Sequence, residues 1–307
     1  MASNPPPASK RDRRVERLSL WLVVTNMAAA ILLSGLLALW LGDSRRAALE
    51  RAQDNVLNVS RVVAQLVQGD IERVDLALQS LVAAYARAPG GGLSAGGPVG
   101  IALADLRAAL TEADALLISD AHGVVQMGKP GDMPPTPANE RPFVIAVRDA
   151  PTAAAPVLSQ PWLGRDSGRW VISVARALRT ADGSFAGVVH ANLSSERFSR
   201  QFAKIDLGQE GAIGLRTDSL ALVARITPQG AVSDGLGSRK VSASLTAALA
   251  ANPQAGVFLV RRPDDGAERA AAYQRVAAYP LYVIVGTGTD EFSSGLTLPQ
   301  AASAALP

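Results

Sequence analysis

The chain has 307 residues, enough for two ordinary domains with full cores, and carries 30 Lys and Arg against 27 Asp and Glu for a net charge of +3. It has no cysteine, which excludes disulfides, thiolate metal sites and cysteine nucleophiles, and its two histidines, His122 and His190, are too few for a histidine-rich metal centre. Lys and Arg are not clustered with stacking aromatics into a nucleic-acid surface, so neither a cofactor nor a nucleic-acid partner is expected.

Residues 1–17 form a Pro-rich leader containing Lys10, Arg11, Arg13, Arg14 and Arg17, expected to be disordered and cytoplasmic. From Leu18 to Gly42 there is no charged residue, and Trp21 and Trp40 stand near the two ends. Such a run crosses a hydrocarbon core of about 30 Å, and the basic flank orients its N-terminus inward, so 18–42 is predicted to be a transmembrane helix. The apolar region of a cleavable signal peptide is shorter, about 7 to 15 residues, which favours a retained anchor.

Residues 43–88 are predicted to be one long stalk helix: Ser44 to Arg87 has no Pro, and apolar residues recur at Val56, Val59, Val63, Leu66, Val67, Val74, Ala77, Leu78 and Leu81. Its length would be about 65 Å at the usual rise, with Gly69 as the one place for a bend. Ala88 to Gly100 reads as a loop and Ile101 to Glu112 as a short helix. Ala115 to Met127 reads as two strands around a turn that holds His122, an exposed residue on this reading. Lys129 to Asn139 is expected to be an ordered loop. Glu140-Arg141-Pro142-Phe143-Val144 then opens a helix that ends near Arg148-Asp149, with Pro142 tolerated in the first turn.

Val157 to Leu163 leads into the part around which the rest is arranged, a hairpin whose strands flank Asp182-Gly183. With a symmetric two-residue loop, Ser173 and Ala175 share one side with His190 and Asn192. Trp170, Ile172, Val174 and Leu178 share the other with Phe185, Val189, Ala191 and Leu193. The bulky side is a core face. The small side either lines a polar cavity or meets water, and a loop of three or five residues would swap the pairing.

Ser195 to Lys204 reads as a helix capped by Ser194 or Ser195. A second unit begins near Leu207, with strands at Gly211 to Arg216 and Leu220 to Ile226, a helix at Ser238 to Ala251, and strands at Gly256 to Arg262, Arg269 to Val276 and Leu281 to Thr287. The repeated order suggests two similar modules in tandem, 89–206 and 207–290, followed by a disordered tail over 291–307.

The runs Glu140-Arg141-Pro142-Phe143-Val144 with Arg148, Ser167-Gly168-Arg169-Trp170-Val171-Ile172 with Arg176, Asp182 to Val189, and Leu207-Gly208 to Gly211 resemble the double Cache (PDC-type) sensor domain of bacterial membrane signalling proteins. The similarity is greatest to the form found ahead of diguanylate cyclase and histidine kinase modules. It implies an α+β fold of two PAS-like antiparallel sheets against one long helix, in the periplasm of a protein held in the inner membrane, with a small ligand in the membrane-distal module.

By position the resemblance implies that Arg148, Arg165, Arg169 and Asn192 rim a ligand site, and Ser173 and His190 from the small face of the hairpin, with Trp162, complete the candidate set. Asn192 falls where amino-acid-binding members keep an Asp for the ligand ammonium, a charge that an amide does not supply. The arginines with Ser173 would suit a carboxylate. The family's second span and output domain are not expected after Gly288.

Three functions follow in order of support. The first is a membrane-anchored periplasmic sensor that binds a small, anionic ligand for signal transduction, acting as a homodimer or with a separate signalling protein. The second is a truncated or split remnant of a diguanylate cyclase or histidine kinase that acts only as an interaction module. The third, an enzyme built on Ser173 and His190, is the weakest, since Ser-His pairs on a sheet are mostly structural and no orienting partner is legible; no catalytic residue is assigned.

Overall fold

The computed structural model describes residues 10–88, 92–110, 113–128, 141–149, 155–164, 167–208, 211–261 and 268–288. The described residues divide into two compact units, the first ending at Arg51 and the second beginning at Ala52. Helix α1 (Lys10–Arg87) begins in the first and ends in the second, without a break at Gly69. It starts inside the leader expected to be disordered, because residues 10–17 contain neither Pro nor Gly and extend a strongly helical apolar run. In the first unit Ile31, Leu32, Leu33, Leu36, Leu37, Leu39 and Trp40 are exposed. Among the described residues this is the one helix long and apolar enough to cross a membrane.

From Ala52 onward α1 presents a fully buried stripe of Val56, Val63, Val67, Ile71, Val74, Leu78 and Leu81, a core-facing row at the helical period. Leu66, expected on that row, faces out, and Ile71 takes the place in line with Val67 and Val74. Ion pairs at Asp75 and Asp70 fix the helix. Asp75 accepts from Arg176 Nε at 2.5 Å and Nη2 at 2.8 Å, both side chains largely buried. The buried Asp70 accepts from Arg73 and, at 3.3 Å, from Arg197.

Helix α2 (Pro98–Ala109) leads to the first sheet, built from β1 (Ala115–Asp120), β2 (Val125–Met127), β3 (Val157–Leu158), β4 (Trp162–Leu163), β5 (Trp170–Arg179) and β6 (Phe185–Ser194) in the order β2-β1-β6-β5-β3, with β4 also on β5. Helix α3 (Pro142–Asp149) lies against β5 and β6, burying Phe143, Val144 and Val147 with Ala175 and Val188. His122 is exposed in the turn after β1, where Asp120 Oδ1 accepts from the His122 and Val124 amides.

The β5–β6 hairpin turns through three residues. Gly183, at φ 86°, donates to Thr180 O, and Thr180 N donates to Ser184 O. A three-residue loop would have swapped the faces, but the register shifts by one between Leu178 and Arg179, absorbing Ala186 as a bulge. Beyond the bulge Ser173 pairs with Asn192 and Ala175 with His190, as a symmetric two-residue loop requires. Phe185, before the bulge, joins the α3 side of the sheet rather than the side of Ile172 and Leu193.

Helix α4 (Ser195–Phe202), capped by Ser194 Oγ, which accepts from Arg197 N at 3.3 Å, leads to the second sheet. That sheet holds β7 (Ala212–Thr217), β8 (Leu222–Thr227), β9 (Gly230–Ala231), β10 (Ala255–Arg261), β11 (Glu268–Arg275) and β12 (Leu281–Gly288) in the order β10-β11-β12-β7-β8-β9. Helix α5 (Ala243–Ala251) begins five residues later than the predicted Ser238, because Gly235 and Gly237, at φ 79° and 77°, hold the preceding chain in turns and Ser242 is the cap. The sheets meet where Gln160 Oε1 accepts from Thr217 Oγ1 at 2.9 Å and Ser219 Oγ at 2.6 Å. The Trp170 ring lies against Gly237 at the same junction.

Candidate functional site

The central pairs of β5 and β6 place Ser173, Ala175, His190 and Asn192 on one face, and β1 adds Ala115 beside Asn192 and Leu117 beside His190. This face does not meet water: Ser173 and Ala175 are fully buried, His190 is 3% exposed and Asn192 8%. On this face the polar groups form a chain. Trp162 Nε1 donates to Ser173 Oγ at 3.1 Å, and Ser173 Oγ donates to Asn192 Oδ1 at 2.8 Å. The indole can only donate, and the Ser173 hydroxyl that accepts from it gives its own proton to Asn192 Oδ1, which leaves the Asn192 amide nitrogen as a donor. Ser159 steadies the row, its Oγ accepting from Ser173 N at 2.7 Å and its N donating to Ser173 O at 2.8 Å.

The start of α3 forms the roof. Phe143 sits 5.2 Å from the His190 ring and 6.5 Å from that of Trp162, and the Arg141 guanidinium lies 3.7 Å over the Trp162 ring. A cation stacked on an indole face is held there by the ring quadrupole. Burial, and then the Arg141 charge, pull the His190 pKa down to about 3, so the imidazole is neutral. Its Nδ1 is buried with no hydrogen-bond partner among the described residues. A buried polar atom without a partner costs about 1–3 kcal/mol, which makes this corner receptive to a group that supplies one.

Of the residues read as a site, Trp162, Ser173, His190 and Asn192 come together. Arg148 stands apart at the end of α3, half exposed and paired with its neighbour Asp149 at 3.0 Å. Arg169 is also half exposed and reaches Asp114 Oδ1 at 3.5 Å. Asp114 in turn receives Ser194 N at 2.7 Å and donates its own amide to Asn192 O at 2.8 Å, so Arg169 braces the strand ends beside the site. Arg165 lies outside the described residues. Arg141, Phe143 and Ser159 join the site without having been read as part of it; the available signal was that Arg141-Pro142-Phe143 opens the helix whose first turn meets the hairpin.

Residues 195–286 match the family model for a dCache_1-like histidine kinase sensor domain. Among solved structures, the extracellular domain of rpHK1S-Z16, described as a histidine kinase, is 28% identical with a TM-score of 0.69 over 81% of this chain and 99% of its own. The ligand-binding domain of the Pseudomonas fluorescens chemoreceptor CtaA, in complex with L-isoleucine, is 19% identical with a TM-score of 0.59, over 82% of this chain and 98% of that one. The ligand-binding domain of the Campylobacter jejuni chemoreceptor Tlp3, in complex with L-norvaline, is 16% identical with a TM-score of 0.59, over 82% and 96%. No curated protein matches the chain.

Proposed function

We propose that this double Cache sensor domain is the receiving part of a membrane-anchored receptor, and that its first module binds a small molecule bearing a carboxylate and no ammonium, without converting it. The apolar run of α1 is the anchor, with the N-terminus inside and the modules in the periplasm of a bacterial inner membrane.

The observation that carries the reading is the Trp162–Ser173–Asn192 chain, which ends on an amide donor beside a buried, neutral imidazole with an unpartnered nitrogen. Donors and the Arg141 cation gather there, and Trp162, Ser173, His190, Asn192, Arg141, Phe143 and Ser159 include no acid to hold an ammonium. The nearby Asp114 is engaged by Arg169 and Ser194 N. The chemoreceptor domains of like fold hold amino acids; here an Asn in the strand favours the carboxylate end of such a ligand and disfavours the amine.

The test is thermal unfolding of the full chain in detergent against a panel of metabolic acids, their amides and free amino acids. A ligand bound only to the native state raises Tm. An acid should do so, its amide should not, and Asn192→Leu should abolish the shift. Shifts from amino acids alone, or from nothing in the panel, would refute the reading.

A further inference from the structure

The second sheet has a hollow of its own, on the face that α5 covers only in part. It has a volume of about 500 Å³, inside the range of small-molecule sites. Its floor is made by Gly214, which pairs with Ile284 on one side and Arg225 on the other, and by Gly286, which pairs with Ala212 and Ala271. A Cβ on Gly214 or Gly286 would meet nothing nearer than 3.8 Å. Neither glycine is needed to avoid a clash; their lack of a side chain is what leaves the middle of the sheet open.

The rim is basic and the walls are apolar. Arg216, Arg225 and Arg269 line the hollow, and among the described residues no Asp or Glu does. Arg216 Nη1 donates to the carbonyls of Leu220 at 2.6 Å and Ser238 at 3.1 Å, which fixes its guanidinium while Arg225 remains exposed one strand away. Burial and, next, the Arg225 charge lower the Arg216 pKa, so an anion between the two would relieve a like-charge contact. Leu222, Leu245 and Phe258 supply apolar surface beside them.

We propose that this hollow is a second ligand site, for a small monocarboxylate with a compact apolar body, its carboxylate between Arg216 and Arg225 and its body against Leu222, Leu245 and Phe258. It is independent of the first-module site, from which it shares no residue.

The experiment is calorimetric titration of the full chain in detergent with benzoate and with its neutral counterpart benzamide. Benzoate should bind, and benzamide should bind roughly tenfold more weakly or worse, the loss expected when a charge-assisted hydrogen bond is removed. Arg225→Gln, at an exposed position, should weaken benzoate by a similar factor. Gly214→Val, which suits a strand and fills the floor, should remove binding while the thermal transition is kept. Equal binding of acid and amide, no benzoate binding in the millimolar range, or binding lost in Asn192→Leu but kept in Arg225→Gln would overturn the proposal.

Discussion

His190 makes the stability of the protein depend on pH in a way that one substitution isolates. In the folded chain its pKa lies near 3 because burial and the Arg141 charge oppose protonation, against an ordinary value of 6.5 when unfolded. A depressed folded pKa means that the contribution to stability is complete above about pH 6.5 and is lost as the pH falls toward 3, since only the unfolded chain takes up the proton. Between about pH 7 and about pH 4.5 this spans two pKa units at about 1.36 kcal/mol each, so about 2.5 kcal/mol of stability should disappear. His190→Leu removes the titration and keeps an apolar side chain under Phe143. Urea unfolding of the full chain in detergent, followed by tryptophan fluorescence, should show the parent losing about 2.5 kcal/mol more than the variant over that range, with the carboxylates common to both cancelling. Curves that run parallel within about 0.5 kcal/mol would mean that His190 is hydrated or protonated in the folded state, and the reasoning would fail.

Three other outcomes are expected. Asp75→Ala strips Arg176 of a carboxylate in a largely buried setting and should cost about 3–5 kcal/mol in urea unfolding, whereas Asp75→Leu with Arg176→Met should cost much less. Gly237→Ala puts a Cβ 2.8 Å from the Trp170 ring at φ 77°, so it should destabilise by about 1–3 kcal/mol and shift the tryptophan emission maximum. Gln160→Leu removes the acceptor shared by Thr217 and Ser219 and should lower stability by about 1–2 kcal/mol, measured by the same denaturation.

The element order was legible because its signals are local. Alternation in the hairpin, the apolar spacing of α1, and the Ser cap of α4 each depend on a few neighbouring residues. What was not legible depends on contacts distant in sequence. The bulge at Ala186 offsets a three-residue loop, so the faces came out as read although the turn did not, and Phe185 alone changed sides. In the site, Ser173, His190 and Asn192 follow from strand parity, which a sequence displays. The Arg141 stack on Trp162 depends on how α3 settles over the sheet, which no periodicity encodes. Arg148, three residues past Ile145 on that helix, looked equivalent by charge but finds Asp149 instead. The basic hollow in the second sheet went unread because Arg269 joins Arg216 and Arg225 from β11, a strand far from β7 and β8 in sequence.

Native mass spectrometry of the chain purified gently in detergent, with any retained small molecule fragmented and identified, tests the central claim most directly. The account predicts a carboxylic acid without an amine, retained by the parent and lost from Asn192→Leu. An amino acid or a polyamine, or an acid retained equally by Asn192→Leu and by a variant with Trp162, Ser173 and His190 also replaced, would contradict it.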